Sequence, residues 1–181
     1  MYQDGAQVLL TATRSDLNKN FSEANKWNDG KETKAITKQA ATYRSLVIAG
    51  PSQKGQQLAK KINSGEKLTW EDVNSAKWGL SSTTSSAGYI YPSLWLNKHF
   101  NKTVSDLKNT VTVDSYGSGM ARLASGQIDI LPTYADARRD FADMWTTDYK
   151  QSQPIWKETN VIGVSQPIYN DTISVSKNQR Q

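Results

Sequence analysis

The sequence predicts an α/β fold whose largely parallel sheet is flanked by helices, on three observations. Short apolar runs rich in β-branched residues alternate along the chain with segments of helical spacing. No internal repeat and no long linker breaks the alternation. The 181 residues include 6 Trp and 8 Tyr, an aromatic supply that argues for a packed core in one ordinary domain or two small lobes.

The first predicted strand is Ala6 to Thr13 (AQVLLTAT). Residues 15–42 are polar, with a turn at Trp27-Asn28-Asp29-Gly30 marked by the Asp-Gly pair. Tyr43 to Gly50 (YRSLVIAG) is the clearest strand and stops at Gly50-Pro51. Lys54 to Asn63 carries Leu58 and Ile62 four apart, the spacing of an amphipathic helix. Thr69 is expected to cap a short helical turn, with Asp72 where a capping box has its acidic partner. A strand over Trp78 to Leu80, a hydroxyl-rich loop and a helix over Gly88 to Phe100 follow, then a turn at Val104 to Leu107. Thr110 to Val113 is a strand, Gly119 to Ser125 a helix closed by Gly126, Ile128 to Leu131 a strand, and Tyr134 to Tyr149 a helix. Asn160 to Val164 and Thr172 to Ser176 are the last strands.

Composition excludes several classes of function. The chain has no cysteine, which removes a disulfide framework, a thiolate nucleophile and Cys-ligated zinc. The net charge of +5 favours anionic partners, yet basic residues never run longer than two, so no nucleic-acid stripe is evident. No apolar run approaches the length of a membrane span, and the polar start after Met1 (Tyr2-Gln3-Asp4-Gly5) is not a signal peptide. The one histidine, His99, lies inside a helix-like segment, so a Ser-His-Asp or Cys-His centre lacks material. Carboxylates are dispersed without metal-ligand spacing, and there is no phosphate loop ending in Gly-Lys-Ser/Thr. The expectation is binding without catalysis, with no cofactor and no metal.

In an open α/β sheet, ligands sit beyond the carboxyl ends of the strands. Three such loops carry polar and aromatic side chains. The first is Ser81-Ser82-Thr83-Thr84-Ser85-Ser86-Ala87-Gly88, running into a helix start. Unpaired N–H groups and the positive end of a helix there suit a tetrahedral oxyanion, and hydroxyls add donors. The same run also reads as a Ser/Thr cap or a linker. The second loop is Asp114 to Gly119, with Ser115 and Tyr116, and the third holds Tyr134 and Asp136. Tyr43, opening the YRSLVIAG strand, is a fourth candidate. Each has a plain structural alternative: packing for the tyrosines, a helix-terminal charge for Asp136.

The ordered series YRSLVI (43–48), SSAGYIYP (85–92), DSYGSG (114–119), ASGQID (124–129) and SQPIYND (165–171) resembles the phosphate/phosphite/phosphonate-binding proteins of ABC importers, over residues 7–176. The resemblance implies periplasmic-binding-protein-like lobes joined by a hinge, in a periplasmic or lipid-anchored receptor outside the cytoplasm that serves an ABC transporter permease. It implies a small phosphonate- or phosphate-type anion held by Ser85, Ser86, Ala87 and Gly88, with Thr84 offsetting the hydroxyl that Ala87 lacks. Tyr43, Tyr116 and Tyr134 would hold the organic part, Ser115 would belong to the same binding set, Asp136 would accept hydrogen bonds from the ligand, and Asp171 would add a polar contact. Tyr116 stands where the family often has His, which leaves ligand identity open; a thiamine phosphate or a nucleotide is an alternative, and a phosphate-ester enzyme a further one. The chain is short for the family. The expected division is 1–46 as part of a first lobe and hinge crossing, 47–158 as the second α/β lobe and 159–181 as the return crossing, with the signal segment absent.

Overall fold

A computed structural model describes residues 6–176; the polar opening 1–5 and the last residues 177–181 lie outside the described residues. Among the described residues the strands are β1 (Ala6–Thr11), β2 (Arg14–Leu17), β3 (Ala35–Ala40), β4 (Thr42–Tyr43), β5 (Ser45–Ala49), β6 (Trp78–Leu80), β7 (Thr110–Thr112), β8 (Ile130–Tyr134), β9 (Asn160–Val164), β10 (Ile168–Tyr169) and β11 (Thr172–Ser176). The helices are α1 (Gln53–Asn63), α2 (Trp70–Asn74), α3 (Tyr91–Phe100), α4 (Tyr116–Ala124), α5 (Arg138–Thr147) and α6 (Ile155–Glu158).

The main sheet has the order β7-β6-β8-β5-β9. β6 runs parallel to β7 and β8, while β5 is antiparallel to both β8 and β9. Four strands therefore share one direction and β5 alone is opposed. Every residue of β5 is buried, as its uninterrupted SLVIA run requires for a strand covered on both faces. One face carries Leu46, Ile48 and Leu131 against Met120, Leu123 and Trp145 of α4 and α5. The other carries Val47, Ala49, Trp78 and Ile130 against Leu58 of α1 and Leu96 of α3. Burying each such aliphatic side chain contributes about 1.5–3 kcal/mol.

The sheet takes in residues on both sides of 47–158: Ser45 and Leu46 belong to β5, and 160–164 form its edge strand β9. Three two-stranded pairs, β1–β11, β4–β10 and β2–β3, complete the strands. The β2–β3 hairpin and the loop within it pack onto the main sheet. Trp27, at the end of a 3-10 turn over Ala24–Trp27, is 2% exposed and sits in the core with Leu46 and Ile48. Asn28 holds the outer edge of β9, donating from Nδ2 to the Val161 carbonyl at 2.9 Å and accepting from the Val161 N–H at 2.7 Å.

Local chemistry explains most helix starts. Ser52 caps α1 and accepts from Gly55 N–H at 3.0 Å. Thr69 and Asp72 form the expected capping box of α2, with bonds of 3.1 and 2.9 Å. Several boundaries differ from the sequence reading: α4 begins at Tyr116 rather than Gly119, β8 covers Ile130–Tyr134 rather than Ile128–Leu131, and two further shifts bear on the site. The segment after the hydroxyl run starts as a π turn over Ser86–Ile90, and α3 begins at Tyr91 with Pro92 in its first turn. The predicted helix from Tyr134 begins only at Arg138, because Tyr134 still pairs with Ser45 as the last residue of β8.

Candidate functional site

Because β6, β7 and β8 are parallel, the loops that follow them emerge at one edge of the sheet, and the antiparallel β5 brings its start to the same edge. The register places Ser45 beside Tyr134 and Leu46 beside Val164. Tyr43, the hydroxyl loop, Tyr116 and Tyr134 are therefore neighbours in space.

One buried bond fixes the hydroxyl loop, and a second holds the serine that makes it. Ser45 Oγ donates to the Ala87 carbonyl at 2.7 Å, and Ser45 N–H donates to Ser165 Oγ at 2.8 Å. Gly88 is needed here: a Cβ would collide with the Ser81 side chain, and it would lie 3.0 Å from Ser85 Oγ. Ser85 caps the π turn, its Oγ accepting from Gly88 N–H at 3.2 Å. That leaves the Ser85 hydroxyl proton for another partner, and Tyr116 OH stands 3.4 Å away. Ser86 and Ala87 contribute N–H groups in the first turn, where no earlier carbonyl of the helix reaches them. Thr84 is exposed and shares a 3.2 Å hydrogen bond with Ser82.

Ser115 caps α4, accepting from Ser118 N–H at 3.1 Å, and is exposed. The next residue, Tyr116, packs edge-on against Tyr134 with ring centroids 5.0 Å apart. Tyr134 OH donates to Asp140 Oδ2 at 2.6 Å. Burial pushes the Tyr134 phenol well above its ordinary range, and the Asp140 bond adds to the rise. Burial likewise raises Tyr43; the Arg14 guanidinium opposes this, and Tyr116, Asp171 and Tyr91 reinforce it. Both phenols are thus neutral hydroxyls near pH 7.

Asp136 departs from its expected ligand role. It is 3% exposed, and its carboxylate is fully engaged inside the protein. Oδ1 accepts from Arg138 Nε at 2.9 Å and Arg138 N–H at 3.2 Å; Oδ2 accepts from Arg138 Nη2 and from Thr33 Oγ1, both at 2.8 Å. It is a structural ion pair that ties the hairpin loop to the start of α5. Asn170 is also structural, its Nδ2 donating to the Ala12 and Ala40 carbonyls, while Asp171 is exposed and its carbonyl accepts from Ala12 N–H at 2.8 Å.

A cleft of about 370 Å³ opens beside the tyrosines, within the range of small-molecule sites. Tyr43, Tyr134, Arg14, Arg44, Arg139 and Trp27 are among its walls. Arg14 lies over the Tyr43 ring, with Cζ 4.4 Å from the centroid, a cation–π contact. No local pattern marks Arg14 in the sequence: it opens a polar strand, and only the β2–β3 pairing carries it to Tyr43. Among the described residues no cluster of three or more His, Asp or Glu is placed to hold a metal, and no helix is long and apolar enough to cross a membrane.

The family of periplasmic substrate-binding proteins of phosphonate ABC transporters matches residues 3–181. No curated protein matches the chain significantly. Among solved structures, Mh-p37 of Mycoplasma hyorhinis, proposed as a thiamine pyrophosphate transporter, superposes with a TM-score of 0.56 at 17% identity over 79% of this chain's length. XAC2383 of Xanthomonas citri bound to ATP gives a TM-score of 0.53 at 12% identity over 77% of the chain. A binding protein component of a phosphonate ABC transporter from Pseudomonas aeruginosa gives 0.48 at 20% identity, also over 77%. The matched part spans 40%, 47% and 41% of those three proteins. The likeness to the first two shows that this chain shares their fold.

Proposed function

Since the chain belongs to the periplasmic substrate-binding proteins of phosphonate ABC transporters, we propose that it captures a small organic phosphonate or phosphate outside the cytoplasm and presents it to a permease, without transforming it. The observation that carries this reading is the meeting of two serine-capped helix starts, with Ser85 Oγ 3.4 Å from Tyr116 OH, at the carboxyl edge of the sheet. Each capping serine accepts a backbone N–H and keeps its own proton to donate. An oxyanion at this edge meets hydroxyl protons, first-turn amides and the positive ends of the turn and of α4 together. Residues 45–164 form the lobe that carries these groups, and β1, β4, β10 and β11 make the crossing toward a second lobe.

Tyr43, Tyr116 and Tyr134 favour a ligand with an organic portion over inorganic phosphate. Three phenol rings offer apolar faces beside polar tips, surface that a bare oxyanion leaves unused. A thiamine phosphate or a nucleotide fits this reading; the Mycoplasma protein is proposed as a thiamine pyrophosphate transporter, and the Xanthomonas protein is seen bound to ATP.

Isothermal calorimetry with phosphate, methylphosphonate and thiamine monophosphate tests the proposal. The organic ligands should bind more tightly than phosphate. Changing Ser85→Ala and Ser86→Ala together should weaken all of them by about 1.5–3 kcal/mol per lost charged hydrogen bond, with unchanged circular dichroism. Failure of the folded chain to bind any of them, or turnover of a phosphate ester, would overturn the reading.

A further inference from the structure

We propose that the ligand carries a second anionic group at the end remote from the hydroxyl loop, and that Arg14 is the residue that reads it in the cleft beyond Tyr43 and Tyr134. This rests on the anion-receptor reading above and adds to it the class of ligand.

The charge inventory of the cleft supports it. Its walls include Arg14, Lys19, Arg44 and Arg139 on one side of the account and Asp16, Asp136 and Asp140 on the other. Most of the potential cancels internally. Lys19 pairs with Asp29 at 2.5 Å, Asp16 with Lys38 at 3.5 Å, and Asp136 with Arg138 at 2.8 Å. Asp140 takes the Tyr134 hydroxyl. Arg44 donates to Asn20 Oδ1 at 2.9 Å and to the Ser165 carbonyl at 2.8 Å, both neutral acceptors. Among the described residues neither Arg14 nor Arg139 forms an ion pair, nor does Arg44. Three guanidinium groups therefore face a concave site with only the Asp140 carboxylate left to oppose them.

Arg14 is singled out by its placement. Its guanidinium lies over the Tyr43 ring, a cation–π contact that leaves its N–H groups for a hydrogen-bonding partner. Tyr134 shares the wall: one side of it lines the cleft, and its ring packs on Tyr116, whose hydroxyl reaches Ser85. The two anion-binding features are thus linked through the Tyr116–Tyr134 pair. A planar, bidentate donor suits a carboxylate or a second phosphoryl group. Arg139 is exposed at the mouth of the cleft and lends charge rather than direction.

A matched ligand series tests this. Calorimetry is run with alkylphosphonates and with ω-carboxyalkylphosphonates of two to six carbons. The carboxylate should raise affinity at least tenfold at one chain length, and Arg14→Ala should abolish that gain while leaving the alkylphosphonates within twofold. Arg14→Lys should restore only part of it, because the ammonium lacks the fork. Ser85→Ala should weaken both series. Equal affinity of the two series for the parent protein, or an Arg14→Ala variant that keeps the gain, overturns the inference and leaves the receptor reading standing. Binding of neither series by the folded parent overturns both.

Discussion

The Asp136 carboxylate sits at a strand end facing a ligand edge, yet all its hydrogen-bonding capacity is taken by Arg138 and Thr33. Its role is decided by burial, since an uncompensated charge there would be costly. Arg138→Ala should therefore destabilise the fold by about 3–5 kcal/mol, read from urea unfolding, because it strands a buried carboxylate. The exposed neighbour Arg139 changed to Ala should move the same curve by no more than about 0.5 kcal/mol. This distinction was beyond the sequence. Arg138 is only two positions away, but the geometry of the pair is not written in that spacing. Thr33 lies 103 positions away. By contrast, Ser85 and Gly88 are legible, because the need for a cap and for a residue without Cβ is local to the loop.

Short helices and turns in this chain depend on reciprocal caps, and α2 is the clearest case. Burial pushes the Asp72 carboxyl up, but the Lys61 ammonium and the bonds from Thr69 outweigh it, and the folded value falls below the ordinary one. A carboxyl lowered in the folded state stabilises above its unfolded value, near pH 4, and that contribution disappears as pH falls through the lowered folded value. Asp72→Asn should thus cost about 1 kcal/mol at pH 7, a figure kept small by the partial exposure of Lys61. The gap from the parent should close as pH falls below about 4 in acid-unfolding curves. Elements whose signals are local, such as α1, α2 and β5, were readable in advance. The β2–β3 hairpin was not: AITKQA is almost wholly exposed, so it lacks the alternation that a half-buried strand shows. The π turn was hidden too, since nothing in SAGYI separates it from an ordinary first turn.

On the scale of the whole molecule, stability is unevenly distributed. β5 is buried on both faces, whereas the β1–β11 ribbon leaves Leu10 63% and Ile173 61% exposed and pairs with no other strand. An isolated two-stranded ribbon is marginal in water. Amides of β1 and β11 should exchange with deuterium at least a hundredfold faster than those of β5 and β8, measured by mass spectrometry at neutral pH. The alternation of strand and helix made the main sheet predictable, but the placement of the polar residues 15–42 against it was set by long-range contacts that leave no period. Those contacts include the Asn28 amide on β9. In mechanical terms, the side chain stands where the backbone of a sixth strand would lie, and with Trp27 and the Thr33–Asp136 bond it fastens the hairpin to the sheet at three separate points. The wall bearing Arg14 and the edge bearing Ser85 are thereby braced against one sheet, so loosening any of these fastenings would shift one relative to the other.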